Sequence, residues 1–436
     1  MTPGAQIQAA IDLLEDVNDA WDEGRASPVD GMLGSYFRHR RYIGAKDKGF
    51  ISRRVYNVLR QGGRLQWYIE RGNLPISPRT LVLASLVMDE NHPINILQTW
   101  FTGNGHDAKP LHKDERNFVE NPPLAADPNM PEWMRLNTPE WYLPHLLETF
   151  GDDMEAEIEA LNTEAPMDMR VNTLKATREE AMKALNKEGF FTTVTPYSPW
   201  GLRLERRGAI FTTKTFNNGW LEIQDEGSQL VALLAAPQPG QKVIDFCAGA
   251  GGKTLALAAM MQNKGRLMAW DTSETRLKQS NKRFARAGVD NAQRHVLTSE
   301  TDPFIKRHKN SAEIVVIDAP CSGSGTWRRN PDLKWRFSQQ DLDEILQVQQ
   351  NILGSAQRLV KSGGKLLYIT CSVFNAENEL QVKQFLSKHP DFTIADTPEI
   401  WNNHDCSKLM ENSDFLKLSP LTAGTDGFFA ALLQKN

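Results

Sequence analysis

Apolar residues recur at helical spacing from residue 5 to about 100, as in IQAAIDLLEDVNDAW, KGFISRRVYNVLRQ and PRTLVLASLVM. No strand-like alternation interrupts them, so the pattern predicts an all-α region over 1–120. Residues 121–139 (NPPLAADPNMPEWMRLNTP) are proline-rich and read as a linker. Over 140–223 a helical piece, EWYLPHLLETFGDDMEAEIEALN, leads into the short strand MDMRVNTLK. The helix TREEAMKALNKEGF and further strand-like pieces follow, which predicts a small α+β module. From 224 onward strand and helix alternate. QKVIDFC, GRLMAWD, AEIVVIDAP and KLLYITCS read as strands. GGKTLALAAMMQ, SETRLKQSNKRFARAG and SQQDLDEILQVQQNILGSAQRLV read as helices. Such alternation predicts a doubly wound parallel sheet with ligands at the carboxyl ends of its strands. DGFFAALLQKN reads as a closing strand.

Composition adds mainly exclusions. The 436 residues are 40% hydrophobic and 24% charged, which excludes a wholly disordered, collagenous or disulfide-stapled chain. The start lacks a basic segment followed by an apolar run, and no apolar run approaches membrane length. A cytoplasmic protein without membrane contact is expected. Cys247, Cys321, Cys371 and Cys406 form no CxxC pair, and the nine histidines show no ligand spacing, so no metal is expected.

Net charge is 50 − 54 = −4, which hides local asymmetry. Residues 1–30 hold seven acids and one base, whereas residues 36–71 hold ten Lys/Arg and two acids. The basic stretch also carries Tyr36, Phe37, Tyr42, Tyr56, Trp67 and Tyr68. Arginines contact phosphates and aromatics stack on bases, so RNA contact is one reading. A helical face with core aromatics and solvated bases is the other. WRRNPDLKWR (327–336) reads as an RNA-facing basic loop or a solvated one, and KRHK (306–309) as a solvated helix end.

Three motifs carry chemistry. VIDFCAGAGGKT (243–254) is a glycine-rich turn between a strand and a helix. A phosphate-cradling P-loop needs glycine where Cys247 stands, and a dinucleotide fingerprint needs glycine where Thr254 stands. S-adenosylmethionine needs close backbone approach and a carboxylate for its ribose. Asp271, closing the next strand 22 residues after Gly249, meets that need. VVIDAPCSGSGTWRRNPD (315–332) delivers Asp318 and Cys321 at a strand end, with cysteine where amino-group methyltransferases want an aromatic. YITCSVFNAENE (368–379) delivers Cys371 at another. Carbon 5 of cytosine is a poor nucleophile, and a thiolate adding to carbon 6 makes it enamine-like. A carboxylic acid such as Asp318 against the ring N3 would stabilise the adduct. Chemistry alone leaves open which cysteine attacks.

DFCAGAGGKT, DAPCSGSGTWRRNPDLKW and TCS followed by ENE resemble the Nol/Nop/Sun family of RNA cytosine-5 methyltransferases. QDEGSQ (224–229), RVNTLK (170–175) and GTDGFF (424–429) match as well. Residues 1–120 are similar to the NusB-like domain of bacterial Sun-type ribosomal RNA methyltransferases. The resemblance implies an all-α NusB-like RNA-binding domain (1–120), the linker (121–139) and a small α+β RNA-recognition module (140–223). A Rossmann-like class I methyltransferase domain (224–436) with an antiparallel last strand would follow. It implies Cys371 as nucleophile, Cys321 in product release, Asp318 on the target base and Lys253 positioning it. Cys247, Ala248, Gly249, Ala250, Gly251, Gly252 and Lys253, with Asp271, Arg276 and Asp318, would hold S-adenosylmethionine. Ribosomal RNA is the favoured substrate, and transfer RNA is the alternative. A non-catalytic ribosome-assembly factor of the same fold is the other class. No obligatory protein partner is evident. One departure stands out: Thr298 occupies the place where the family has an Asp near the adenine, with Asp302 four residues on.

Overall fold

The structure, a computed structural model, describes residues 1–25, 27–402, 404–411 and 413–436. It divides into two compact units. One is Met1–Thr163 with Trp327–Ser338, and the other is Glu164–Thr326 with Gln339–Asn436.

The first unit is helical. Its opening helix, Pro3–Asp22, starts where the Thr2 side chain accepts a hydrogen bond from Ala5 N at 3.2 Å and Pro3 supplies a preset φ. Ile7, Ile11, Leu14 and Val17 form its buried stripe. Helices Ala45–Arg60 and Gly62–Arg71 carry the basic stretch. Of its aromatics, Tyr36, Trp67 and Tyr68 lie in the core, Phe37 and Tyr56 are half-buried, and Tyr42 is exposed. The candidate stacking surface therefore contracts to Tyr42 and the edges of Phe37 and Tyr56. The proline-rich stretch 121–139 is folded at its end. Helix Glu132–Arg135 forms there, and Met130 and Met134 enter the helical core.

The expectation of an RNA-facing or solvated loop at 327–336 is corrected. Trp327, Arg328, Asp332 and Lys334 are buried in the helical unit. Lys334 Nζ donates to Arg60 O at 3.0 Å and to Asn162 Oδ1 at 2.6 Å, and Trp335 Nε1 donates to Leu59 O at 2.5 Å. Burial holds the Lys334 pKa well below its ordinary value. The segment's polar groups thus satisfy backbone carbonyls that helix ends leave open, rather than facing phosphate.

The second unit contains two sheets. Strands β1 (Asp168–Val171), β2 (Thr192–Val194), β3 (Gly201–Leu204) and β4 (Leu221–Ile223) form an antiparallel sheet in the order β2-β3-β1-β4. Helix Arg178–Lys187, begun by a Thr177–Glu180 capping box, packs Ala181 and Leu185 against Met169 and Leu202. The large sheet comprises β5 (Lys242–Asp245), β6 (Arg266–Asp271), β7 (Ala292–Val296), β8 (Ala312–Asp318), β9 (Val360–Thr370), β10 (Phe392–Ile394), β11 (Leu416–Leu418) and β12 (Phe428–Lys435). Its order is β10-β12-β9-β8-β5-β6-β7, with β11 also on β12. Strands β5 to β9 run parallel, and β12 returns antiparallel to β9 with Phe429 opposite Thr370. Alternating side chains fill a core on each face, Val315 and Ile317 on one and Ile314 and Val316 on the other. This is the expected doubly wound sheet with its antiparallel last strand.

The strand order reverses between β5 and β8, which opens a crevice beyond their carboxyl ends. Asp245, Asp271, Asp318 and Cys371 sit at the ends of β5, β6, β8 and β9 respectively. Among the described residues, no helix is long and apolar enough to cross a membrane, and no group of three or more metal-ligating side chains forms.

Candidate active site

The glycine turn is built from β5 into helix Gly252–Met260. Gly251, at φ +81°, caps the helix, and a Cβ there would meet Phe284 at 2.5 Å. Gly249, at φ +54°, faces open space. Gly249 N donates to Asp271 Oδ2 and Ser273 N donates to Asp271 Oδ1, each at 2.7 Å, so the second strand end and the turn lock together. Arg283 Nη1 donates to Ala250 O at 2.9 Å, and the same guanidinium pairs with Glu222 of β4 at 3.1 Å. The small sheet thereby braces the turn.

Asp245 was not among the expected site residues, although it stands within the quoted motif. Its Oδ2 accepts from Thr254 Oγ1 at 2.6 Å, while its buried Oδ1 has no hydrogen-bond partner. Burial pushes its carboxyl up to about 7, against the lowering effect of the Thr254 bond. Ala248 N is held by Trp270 O at 2.8 Å. Burial, and then the neighbouring Asp271, push the Cys247 thiol up, which leaves it a neutral spacer in the turn. Arg276 is exposed in the first turn of helix Glu274–Ala287, where its backbone N donates to Ser273 Oγ at 3.4 Å.

The Thr298 departure has a local structure. Asp302 Oδ2 accepts from both Thr298 N and Thr298 Oγ1 at 2.7 Å, and Oδ1 accepts from Phe304 N at 2.7 Å. These bonds lower the Asp302 pKa to about 2. Asp302 is a turn and helix cap that immobilises Thr298.

The thiol side adjoins this region. Cys321 Sγ and Cys371 Sγ are 3.3 Å apart, on the loops leaving the neighbouring strands β8 and β9. The contact with Cys371, reinforced by burial, raises the Cys321 pKa well above its ordinary value, so Cys321 keeps its proton. Lys253 Nζ pairs with Asp318 Oδ2 at 2.7 Å, with Lys253 nearly enclosed and Asp318 partly open to solvent. Gly325 N donates to Cys371 O at 3.0 Å, and Gly427 N donates to Gly325 O at 2.7 Å. A Cβ on Gly325 would meet Gly427 O at 2.2 Å. That close approach explains glycine in both the SGSG and GTDGFF motifs. Beneath the sulfurs lies a buried polar cluster that the sequence reading did not assign: Ser322, Ser324, Gln349, Ser372, Glu377 and Asn378.

The turn offers open backbone and carboxylate acceptors for a ligand carrying an ammonium and hydroxyl groups. The neighbouring corner offers two sulfurs and a Lys–Asp pair. Comparisons with known proteins agree. A 16S rRNA methyltransferase RsmB/F family model matches residues 232–434, and an RsmF/B-like ferredoxin-like domain model matches residues 138–211. The probable ribosomal RNA small subunit methyltransferase B of Synechocystis sp. is 35% identical over 303 residues, which covers 68% of this chain and 66% of that protein. The ribosomal RNA small subunit methyltransferase B of Erwinia tasmaniensis is 30% identical over 423 residues, 91% of this chain and 92% of that one. Among solved structures, that of PH0851 superposes with a TM-score of 0.79 at 26% identity, covering 100% of this chain and 99% of the other. With its sheet, its glycine turn and this likeness along nearly its whole length, the chain belongs to the ribosomal RNA small subunit methyltransferase B family of S-adenosylmethionine-dependent RNA methyltransferases.

Proposed function

We propose that this enzyme methylates carbon 5 of a cytidine in small-subunit ribosomal RNA through a covalent adduct with Cys371. The observation that carries the reading is the pair of sulfurs 3.3 Å apart at adjacent strand ends, beside the Lys253–Asp318 pair. One thiol would serve an amino-group transfer no better than none. A two-thiol site suits a reaction in which a carbon–sulfur bond must form and later break.

The residues fit the cofactor. The N–H groups at the start of helix Gly252–Met260 suit its carboxylate, and the buried acceptors of Asp245 and Asp271 suit its ammonium and ribose hydroxyls. Gly249, with open space where a side chain would stand, lets it approach the backbone. S-adenosylmethionine, when bound, supplies an electrophilic methyl group.

The remaining work falls to the chain. Cys371 Sγ, as thiolate, adds to carbon 6 of the ring and pushes the electron pair toward N3. Asp318 stands at a strand end where its carboxyl can share a proton with N3, and Lys253 holds Asp318 in place. Carbon 5 then takes the methyl group. Loss of the carbon 5 proton to solvent closes the carbon 5–carbon 6 double bond and expels Cys371 as thiolate, and N3 hands its proton back to Asp318. Cys321, within contact of Cys371, assists that release. The exposed bases around Tyr42 in the helical unit are suited to phosphate contact, and a net charge of −4 does not oppose a local basic patch.

Bisulfite sequencing of ribosomal RNA from cells with and without the gene tests this reading. Loss of one or a few protected cytidines in its absence is expected. An unchanged pattern across growth conditions would contradict it.

A further inference from the structure

A buried ionisable group close to both thiols has no role in the mechanism above. Glu377, six residues beyond Cys371 on the turn after β9, is completely enclosed. Its Oε1 accepts from Ser322 N at 2.8 Å and from Gln349 Nε2 at 3.0 Å. Its Oε2 accepts from the hydroxyls of Ser322 and Ser372. Ser322 directly follows Cys321, and Ser372 directly follows Cys371. A single carboxylate therefore ties together the residues that follow the two thiols.

The ties are unequal. On the Pro-Cys side the carboxylate holds both the backbone and the hydroxyl of Ser322. Gln349, which it also fixes, donates to Pro320 O at 3.0 Å. On the Thr-Cys side it holds only the Ser372 hydroxyl. That side has its own anchors. Thr370 Oγ1 donates to Asn378 Oδ1 at 2.5 Å, Asn378 Nδ2 donates to Ser372 O at 2.9 Å, and β9 is paired along both edges. Removing the carboxylate would leave Ser322 N without an acceptor and Gln349 Nε2 with only Pro320 O, so the Pro-Cys loop shifts first.

We propose that Glu377 is a positioning residue for product release: by pinning Ser322 and Gln349 it seats Cys321 against Cys371. The inference rests on the two-thiol reading above. In this account, loss of Glu377 spares addition, which needs Cys371, and slows elimination, which needs both sulfurs in register. A glutamine at 377 can keep its amide oxygen on Ser322 N and Gln349, while the serine hydroxyls rotate to accept from its NH₂.

The test is steady-state turnover with S-adenosylmethionine and a ribosomal RNA fragment, read alongside denaturing gels for an RNase-sensitive protein–RNA adduct. Glu377→Ala should lower kcat about 10²-fold, as expected of a misplaced reacting group. It should also accumulate adduct, with S-adenosylmethionine affinity unchanged. Glu377→Gln should recover most of the activity and trap less adduct. Gln349→Ala, a milder change, should trap adduct even if the alanine variant at 377 does not fold. Cys321→Ala is the control. If it traps no adduct, the two-thiol reading itself fails. If it traps adduct while Glu377→Ala and Gln349→Ala trap none, or if Glu377→Ala turns over at the wild-type rate, the assignment of Glu377 is overturned.

Discussion

The two corners of the proposed catalytic crevice use similar residues in opposite ways. At the proposed cofactor corner, Asp271 accepts on both oxygens but one carboxylate oxygen is left unused. Asp245 Oδ1 is buried without a partner, and Gly249 borders open space. At the thiol corner, the Glu377 carboxylate is saturated, with four donors on its two oxygens. On the proposed reading, the cofactor corner keeps Asp245 Oδ1 in reserve for a ligand's donors. The corner that holds the two sulfurs uses both oxygens of Glu377 to fix its loops. The contrast is one of satisfaction rather than charge, since buried carboxylates occur at both.

The comparison can be broken most forcefully at the thiol corner. Cys371→Ala should abolish methylation, a fall of about 10⁴-fold or more, while RNA binding persists in a gel-shift assay. Cys321→Ala should lower turnover by a similar order but trap a covalent protein–RNA species visible on denaturing gels. The cofactor corner should respond by affinity instead. Asp271→Ala removes an acceptor that also holds Gly249 N and Ser273 N. It should weaken S-adenosylmethionine binding roughly 10–100-fold by calorimetry.

The smallest effect is on stability. Asp245 titrates at about 7 in the folded protein, against an ordinary 3.8. Between those values the folded state holds a proton that the unfolded chain has released. Stability should therefore fall as pH rises through that window and level off above it. Asp245→Asn cannot titrate, so the difference in Tm between pH 5 and pH 8 should be smaller in the variant than in the wild type.

Much of the fold was legible because periodicity reports burial. The alternation from residue 224 onward pointed to the parallel sheet, and the apolar run GFFAALL to its antiparallel last strand. The three-residue strands β10 and β11 are too short to show a period. The candidate site residues stood out because Asp271 and Asp318 end strands and Cys321 and Cys371 lie on the loops that leave them. Glu377 was visible only as part of ENE. Its partners Ser322 and Gln349 lie 55 and 28 residues away, and hydrogen bonds at such separations leave no periodic trace. The segment 327–336 misled for a related reason. Its cations resemble a solvated surface, yet Lys334 is enclosed because its ammonium satisfies Arg60 O and Asn162 Oδ1. The basic stretch 36–71 was ambiguous in the same way, and burial of Tyr36, Trp67 and Tyr68 decided most of its aromatics in favour of core.

The proposed mechanism stands or falls on the bond between Cys371 and the base. The most direct measurement is peptide mass spectrometry of the adduct trapped by the Cys321→Ala enzyme with a ribosomal RNA fragment and S-adenosylmethionine, after nuclease and protease digestion. A nucleotide mass, carrying one added methyl group, is expected on the peptide containing Cys371. A nucleotide on any other residue, or a fully active Cys321→Ala enzyme with no adduct, would contradict it.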